Sequence, residues 1–413
     1  MTYPSFYYVQ RKLLGMKKLT LLLFAFHAAL ILNGQGRSVT ENLLILDENI
    51  GTQMFVQVKA HVGKHLYTGN TFHEHLKEVS YASSIRFGWR TSGKKDWEKA
   101  LNYPLYGVGV FGGRIGKEQY FGNPIGTYGF FSIPILRRKR HNFNVELAPG
   151  VVFNLTPYHA ENNPLNDAVG SPLLLFFNFQ LGGDLILTQT LDFTYGIDYT
   201  HFSNGRVKTP NYGINIAGLN VGLRYNFNPI RKGIQLLDPD FEPTVRPTLD
   251  KSPKGPAPES HDINLYVAVG PVMYETSELT GPEYTAWTTY LEYSRRYGHI
   301  ASYSAGVDFL YDGSVEQDAL TKGNPYSKDD SFYIALHAGH AVYISKFSVE
   351  IQLGGYIYKP NYYKGDWYLR TALKYQFDNG LYVQIGLKTK DAGAADWAEF
   401  GVGYRLFSSY YRK

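Results

Sequence analysis

The chain of 413 residues contains no cysteine and only four methionines. Without cysteine it forms neither disulfides nor thiolate metal sites, so cysteine usage gives no information on its redox compartment. After the N-terminal region, no run of about 18 apolar residues occurs, which excludes membrane-spanning helices. The formal net charge of +5 is small and does not indicate a nucleic-acid partner.

Aromatic residues and glycine are abundant instead. The chain has 35 tyrosines, 25 phenylalanines and 42 glycines. Aromatic side chains pack well on a pleated surface, so this composition favours strands over helices.

The N-terminal region has the composition of an export signal. From Met16 the chain reads MKKLTLLLFAFHAALILNGQG, in which two lysines precede an apolar core and then small and polar residues. We interpret residues 1–36 as an N-terminal extension followed by a signal peptide, with Met16 as the true start. No cysteine follows the apolar core, so we expect no lipoprotein anchor.

From about residue 52 onward, apolar and polar residues alternate in segments separated by turn residues. This period indicates strands, and Asp378-Asn379-Gly380 predicts a type I′ hairpin turn. The predicted strands lie near 53–62, 78–90, 104–113, 126–136, 142–155, 171–187, 190–203, 213–227, 262–275, 284–296, 299–312, 331–344, 346–359, 366–377, 380–389 and 396–407.

The alternation gives each strand one apolar face and one polar face. In 213–227 the odd positions are mostly apolar, whereas Asn220, Arg224 and Asn226 share the other face. In 396–407, Trp397, Glu399 and Arg405 oppose the apolar positions from Ala398 to Leu406. A soluble sandwich would show the same alternation. Strand length, aromatic content and the export signal favour an all-β, transmembrane, antiparallel outer-membrane β-barrel of roughly 12 to 16 strands.

Residues 228–261 interrupt this pattern. The segment is rich in proline and charge and predicts a linker without regular structure. It separates a first barrel half, residues 50–227, from a second half, residues 262–413. One large barrel is the preferred interpretation, and two small barrels or a barrel with lid strands are the alternatives.

A polar group lies at the end of the seventh predicted strand. His201 and Ser203 occupy odd-numbered positions, on the apolar face of this strand. Asn215 likewise lies on the apolar face of the return strand. A polar side chain facing lipid is costly, and a lipid hydrolase would explain it, with Ser203 as nucleophile and His201 as general base. Counting strands from a periplasmic N-terminus puts the C-terminal end of the seventh predicted strand near the outer leaflet. An isolated His-x-Ser pair is more often an inert feature of the water interface.

The sequence HFSNG followed by NYGIN resembles the signature of the lipid A 3-O-deacylase (PagL), or acyloxyacyl hydrolase, family. Three further segments resemble its longer relatives from Bacteroidetes: GKKDWEKALNYPLYGVGV, YFGNPIGTYGFFSIPI and GLKTKDAGAADWAEFGVGYRL. The resemblance implies a serine esterase of the cell outer membrane that removes an ester-linked acyl chain from lipid A of lipopolysaccharide. It makes Ser203 and His201 catalytic, and Asn204, Gly205 and Asn211 supports for the oxyanion.

The sequence departs from the family signature at Asn215, where an acid is expected. An amide oxygen can still hold the imidazole, as in Cys-His-Asn hydrolases, but it lacks the charge that stabilises an imidazolium. We therefore expect a slower enzyme. A barrel that keeps the site without turnover, or one that transports a solute through its lumen, is the alternative.

Two other groups of residues are candidates for a function. Four histidines, His61, His65, His73 and His75, form either a metal site or, as we favour, solvated loop residues. The basic run 137–140 is expected to be a solvated periplasmic turn. No metal or cofactor is expected, and the expected partners are lipid A in the outer leaflet and other outer-membrane lipids. A phospholipid substrate and a homodimer remain open alternatives.

Overall fold

A computed structural model describes residues 53–66, 76, 78–237, 239–240, 242, 244–247, 249–253, 255–273, 283–360, 365–391 and 394–411. The predicted signal peptide, Met16, His73 and His75 lie outside these residues. All sixteen predicted strands are present, with ends displaced by a few residues. In the described part of the chain, no helix is long and apolar enough to cross a membrane.

The first eight strands form one closed antiparallel barrel, in which β8 returns to pair with β1. They are β1 (Gln53–His65), β2 (Ser80–Arg90), β3 (Leu105–Arg114), β4 (Gly122–Arg137), β5 (His141–Leu155), β6 (Leu174–Ile186), β7 (Leu191–Ser203) and β8 (Ile214–Asn226).

The last eight strands form a second closed antiparallel barrel, in which β16 pairs with β9. They are β9 (Glu259–Val272), β10 (Tyr284–Tyr297), β11 (Ala301–Asp312), β12 (Phe332–Ile344), β13 (Phe347–Tyr358), β14 (Trp367–Gln376), β15 (Leu381–Lys390) and β16 (Ala394–Tyr411).

The expected antiparallel barrel architecture is thus confirmed, and its sixteen strands fall within the expected range. The preference for a single barrel is wrong, because the two halves close separately. Contacts between residues likewise divide the chain into two compact units. The short helices are α1 (Asp96–Ala100), α2 (Glu118–Phe121), α3 (Ile230–Leu237) and α4 (Val315–Thr321), with a 3-10 turn at Lys328–Ser331.

The predicted faces of β8 and β16 are confirmed, except that Ala398 on the apolar face of β16 is buried. On β8, Leu219 and Val221 are exposed whereas Asn220 and Arg224 are buried. On β16, Trp397 and Glu399 are buried, and the apolar side chains from Phe400 onward are exposed. A register shift between Arg405 and Phe407 explains why Leu406 and Phe407 are both exposed. An exposed apolar face around a polar interior is the pattern of a membrane barrel.

Three details differ from the sequence predictions. The segment 228–261 is not without regular structure, since it contains α3. In the turn after β14, Gly380 has a positive φ and Asn379 does not, so the turn is not type I′. In the basic run, residues 138–140 are exposed as expected, but Arg137 is half-buried and donates to the carbonyls of Asn102 and Tyr103.

The interior of the first barrel has an apolar half and a charged half. Towards the loop after β7, four rings pack together: Phe111, Tyr128, Phe176 and Phe202. At the opposite end, Arg224 lies between two buried carboxylates, 3.0 Å from Asp192 and 3.2 Å from Asp184. Segment 228–255 adds two more cations, because Arg231 pairs with Asp192 and Arg246 with Asp184.

Replacing Arg224 by Met should destabilise the first barrel by about 1.5 to 3 kcal/mol, because Asp184 and Asp192 lose their hydrogen bonds to Arg224 but keep Arg246 and Arg231 as counter-charges. The effect is measured by incubating each variant at a series of temperatures and following the loss of the fast-migrating band of the folded barrel by SDS gel electrophoresis without boiling. Lys346→Met is the matched control, since its ion pair with Asp378 is largely exposed and such pairs contribute little. Equal melting of both variants would contradict the prediction.

Candidate active site

The register of the β7–β8 hairpin sets the position of the predicted catalytic residues. His201 lies directly opposite Asn215, and Ser203 lies two residues further along the same strand. Side chains two residues apart point to the same side of a strand, so all three share one face. This is the face on which Ile197 is exposed. The long-range pairing of two strands therefore brings together residues that the sequence separates.

The three side chains form a continuous hydrogen-bonded chain. The Ser203 Oγ lies 3.0 Å from His201 Nε2, and His201 Nδ1 lies 2.7 Å from Asn215 Oδ1. An amide oxygen can only accept, so Nδ1 carries the proton and Nε2 is the acceptor for the serine hydroxyl. That tautomer is the one a general base for Ser203 needs.

Tyr199 belongs to this group, although sequence reasoning missed it. Its hydroxyl donates to Asn215 Oδ1 at 2.5 Å, the same atom that accepts from His201. Two donors on one oxygen fix which end of the Asn215 amide faces the imidazole. Tyr199 has the same parity as His201, but an outward tyrosine is ordinary on a membrane strand, so parity alone would not have distinguished it.

The site is well packed. Ser203 is 8% exposed and Asn215 is 3% exposed. Gly213 precedes β8 with a φ of +74°, and a Cβ at this position would lie 2.9 Å from the His201 ring. The N–H of Gly213 donates to the Ala168 carbonyl. Glycine at 213 therefore allows both the left-handed turn and the close approach of the imidazole.

Asn204, Gly205 and Asn211 lie on the loop that follows Ser203. Within this loop the N–H of Asn204 donates to Asn211 Oδ1 at 3.0 Å, and the Asn204 side chain donates to the Lys208 carbonyl. Gly205 has a positive φ of +66°. The structure thus brings Asn204 and Asn211 together.

The carboxylates of β7 are on the other face, because Asp192 and Asp198 occupy even-numbered positions of the strand. Asp192 pairs with Arg224 and Arg231, and Asp198 lies 3.0 Å from His61. Both ring nitrogens of His201 have partners other than a carboxylate. Asn215 is therefore the side chain that accepts the hydrogen bond from the Nδ1–H of this histidine.

The expectation that His61 and His65 are solvated loop residues is wrong. Both lie on β1, where His61 contacts Asp198 and His65 contacts the Ile115 carbonyl and stacks on Phe121. Among the described residues, no group of three or more histidines and carboxylates is arranged to hold a metal ion.

Two family models match the chain. The model of the lipid A 3-O-deacylase (PagL) matches residues 83–224, and that of the acyloxyacyl hydrolase C-terminal domain matches residues 261–409. The first match lies within β2 to β8 and the second spans β9 to β16, so together they cover most of the chain. No curated protein matches the chain in sequence.

Several solved structures are similar to the chain. The crystal structure of the outer membrane enzyme PagL is 17% identical with a TM-score of 0.29, covering 40% of this chain and 97% of that chain. The outer membrane protein Omp33 of Acinetobacter baumannii is 10% identical with a TM-score of 0.17, covering 87% and 100%. A mutant of the Rh. blastica porin is 7% identical with a TM-score of 0.16, covering 86% and 100%. On the two family matches, the chain belongs to the PagL family of lipid A deacylases and is located in the outer membrane.

Proposed function

We propose that this chain hydrolyses the ester-linked 3-O-acyl chain of lipid A, with Ser203 as nucleophile, His201 as general base and Asn215 as the residue that orients the histidine. The observation that carries this proposal is the hydrogen-bonded chain from Ser203 through His201 to Asn215. A serine is a weak nucleophile until a base removes its proton, and this arrangement supplies the base in the required tautomer.

The reaction proceeds in two steps. Ser203 Oγ attacks the acyl carbonyl as its proton passes to His201 Nε2, and the ester bond to the sugar breaks as the sugar oxygen takes that proton. Water then attacks the acyl-serine, again with His201 as base, and releases the fatty acid. We assign the Gly205 N–H and the Asn211 side-chain amide to the oxyanion, with Asn204 holding Asn211 in place.

The position of the site supports a membrane lipid as substrate. Ser203 ends β7 at the end of the first barrel opposite the short β4–β5 and β6–β7 turns, and the β2–β3 connection, residues 91–104, is the long one at that opposite end. Outer-membrane barrels have short periplasmic turns and longer extracellular loops. This supports a position of Ser203 towards the outer leaflet, where lipid A resides, and the position of Ser203 on the same strand face as Ile197 supports a side chain directed to lipid.

Transport through the lumen is less well supported. The charged residues expected to line a solute path are buried in ion pairs, as Arg224 is with Asp192 and Glu399 is with Arg370. We therefore expect no reproducible single-channel openings in planar bilayers.

Mass spectrometry of lipid A from a Gram-negative host, with and without the chain expressed from Met16, tests the proposed function. We expect lipid A to lose one hydroxyacyl group when the chain is present. Phospholipids from the same cells are measured in parallel. Unchanged lipid A together with lysophospholipid would identify phospholipid as the substrate. If neither lipid changes while the folded barrel is in the outer membrane, the proposal is wrong.

Tyr199→Phe should lower kcat about three- to tenfold and leave KM unchanged. The variant loses one neutral hydrogen bond to the Asn215 oxygen, of about 0.5 to 1.5 kcal/mol, so the amide holds His201 less firmly. Tyr195→Phe is the matched control, because Tyr195 is on the same face of β7 and bonds to His141. Steady-state kinetics on purified lipid A distinguishes the two, and a change in KM alone for Tyr199→Phe would assign Tyr199 to substrate binding.

A further inference from the structure

A second serine-histidine-carboxylate group lies inside the first barrel. The Ser84 Oγ is 3.3 Å from His61 Nε2, and His61 Nδ1 is 3.0 Å from Asp198 Oδ2. Asp198 also accepts from the Asn220 side chain at 2.7 Å. These residues come from β2, β1, β7 and β8, four strands that are consecutive around the barrel wall. Their order of donors and acceptors is that of a hydrolase triad.

This group is separate from the Ser203 site. Asp198 and His201 are on the same strand, but their parities differ and their side chains point to opposite faces. Ser84 and Asp198 are buried in the interior. The lumen of an eight-stranded barrel is normally filled by side chains, so a polar chain of this kind would ordinarily be packing. Two further observations point to a ligand.

The first observation is a cavity of about 70 Å³ beside the triad. Ser84, His61 and Asp198 all line it, and the rings of Phe111 and Phe176 form an apolar wall. An apolar cavity of about 150 Å³ holds a benzene molecule, so roughly 25 Å³ corresponds to one heavy atom. The cavity therefore has room for about three heavy atoms, the size of an acetyl group.

The second observation is the guanidinium of Arg86, which lines the same cavity two residues after Ser84. Arg86 is 2% exposed and forms an ion pair with Glu146 at 2.7 Å. Its Nε–H has no acceptor among the residues that the structure describes. A buried donor without a partner is costly and is suited to an oxygen that becomes negative during a reaction.

We infer that Ser84, His61 and Asp198 form a second esterase site, whose cavity takes the acetyl group of an acetyl ester while the alcohol stays outside the cavity. Ser84 Oγ attacks the acetyl carbonyl as its proton passes to His61 Nε2, and the alcohol leaves with that proton. Water then hydrolyses the acetyl-serine, releasing acetate and restoring Ser84. Arg86 stabilises the oxyanion in both steps, and Asp198 holds His61. This inference is independent of the activity proposed for Ser203.

The experiment uses the full-length protein in detergent micelles with 4-nitrophenyl acetate and 4-nitrophenyl octanoate. Ser203→Ala removes the first site, and Ser84→Ala is then added to it. Ser83→Ala is the matched control, because Ser83 is the preceding residue and is exposed on the opposite face. We expect Ser203→Ala to retain acetate hydrolysis and to lose octanoate hydrolysis. Adding Ser84→Ala should lower the remaining acetate rate at least tenfold, and adding Ser83→Ala should not.

A second measurement needs no change at Ser84 and so does not depend on how that variant folds. The Ser203→Ala protein is quenched in acid during turnover, digested and examined by mass spectrometry. We expect one acetyl group on the peptide that contains Ser84. If this peptide stays unmodified and the acetate rate is the same with and without Ser84, the residues are packing and the inference is wrong.

Discussion

Ser203→Ala is expected to lower lipid A deacylation by at least about 10⁴-fold, the largest effect of any single substitution in this chain. Alanine has no oxygen to attack the acyl carbonyl, and within the described part of the chain no other hydroxyl is hydrogen-bonded to His201. The hydroxyl also contributes little to folding, because among the residues that the structure describes it makes one hydrogen bond, at the end of β7. The variant should therefore reach the outer membrane as a folded barrel and leave lipid A unchanged.

The geometry of the same site also predicts the activity of a variant that carries two substitutions. Residues that act as a unit are not additive, so Ser203→Ala with His201→Ala should lose no more activity than Ser203→Ala alone. Ser83→Ala controls for the loss of a serine from an outward-facing strand position. Lipid A profiles and rates with purified lipid A measure both effects. If Ser203→Ala deacylates as well as the wild type, Ser203 is not the nucleophile.

Much of the fold could be predicted because the sequence of each strand shows which of its two faces is apolar and which is polar. The alternation that buries Asn220 and Arg224 and exposes Leu219 and Val221 is a local pattern, readable within one segment. The alternation also predicted correctly that His201, Ser203 and Asn215 share a face. Successive side chains of a strand point to opposite faces, so the position of a residue along the strand determines its face.

Closure into two barrels could not be predicted in this way. A strand alternates in the same manner whether β8 pairs with β1 or with a ninth strand, because both pairings leave one face to lipid and one to the lumen. The choice depends on pairing between β1 and β8, which are far apart in sequence. Eight strands on each side of residues 228–261 were compatible with both outcomes.

The residues that sequence reasoning misplaced were mainly those whose partners lie on other strands. The sequence predicts loop residues at His61 and His65 because the histidines of this region are irregularly spaced. The structure continues β1 to His65, so His61 lies beside Asp198 of β7 and Ser84 of β2. Tyr199 was missed for a related reason, since its role depends on Asn215 of the neighbouring strand.

Substitution of Asn215 gives the second large effect on kcat. The residue that replaces it decides whether kcat falls or rises. Asn215→Ala removes the acceptor for His201 Nδ1, so the imidazole loses its tautomer and orientation and kcat should fall about 10² to 10³-fold. Asn215→Asp keeps an oxygen in the position that accepts from His201 and Tyr199 and adds a negative charge. That charge stabilises the imidazolium formed when Ser203 is deprotonated, and burial strengthens the interaction.

We therefore expect Asn215→Asp to raise kcat about tenfold or more, with KM unchanged, because the added charge acts in the transition state and not on bound lipid. The gain should disappear in Asn215→Asp combined with His201→Ala, since the carboxylate acts only through the imidazole. A higher rate in that double variant would mean that the carboxylate acts directly on substrate. A lower rate in Asn215→Asp alone would mean that the amide suits this site better than a charge, and that the departure from the family signature is an adaptation to a different substrate.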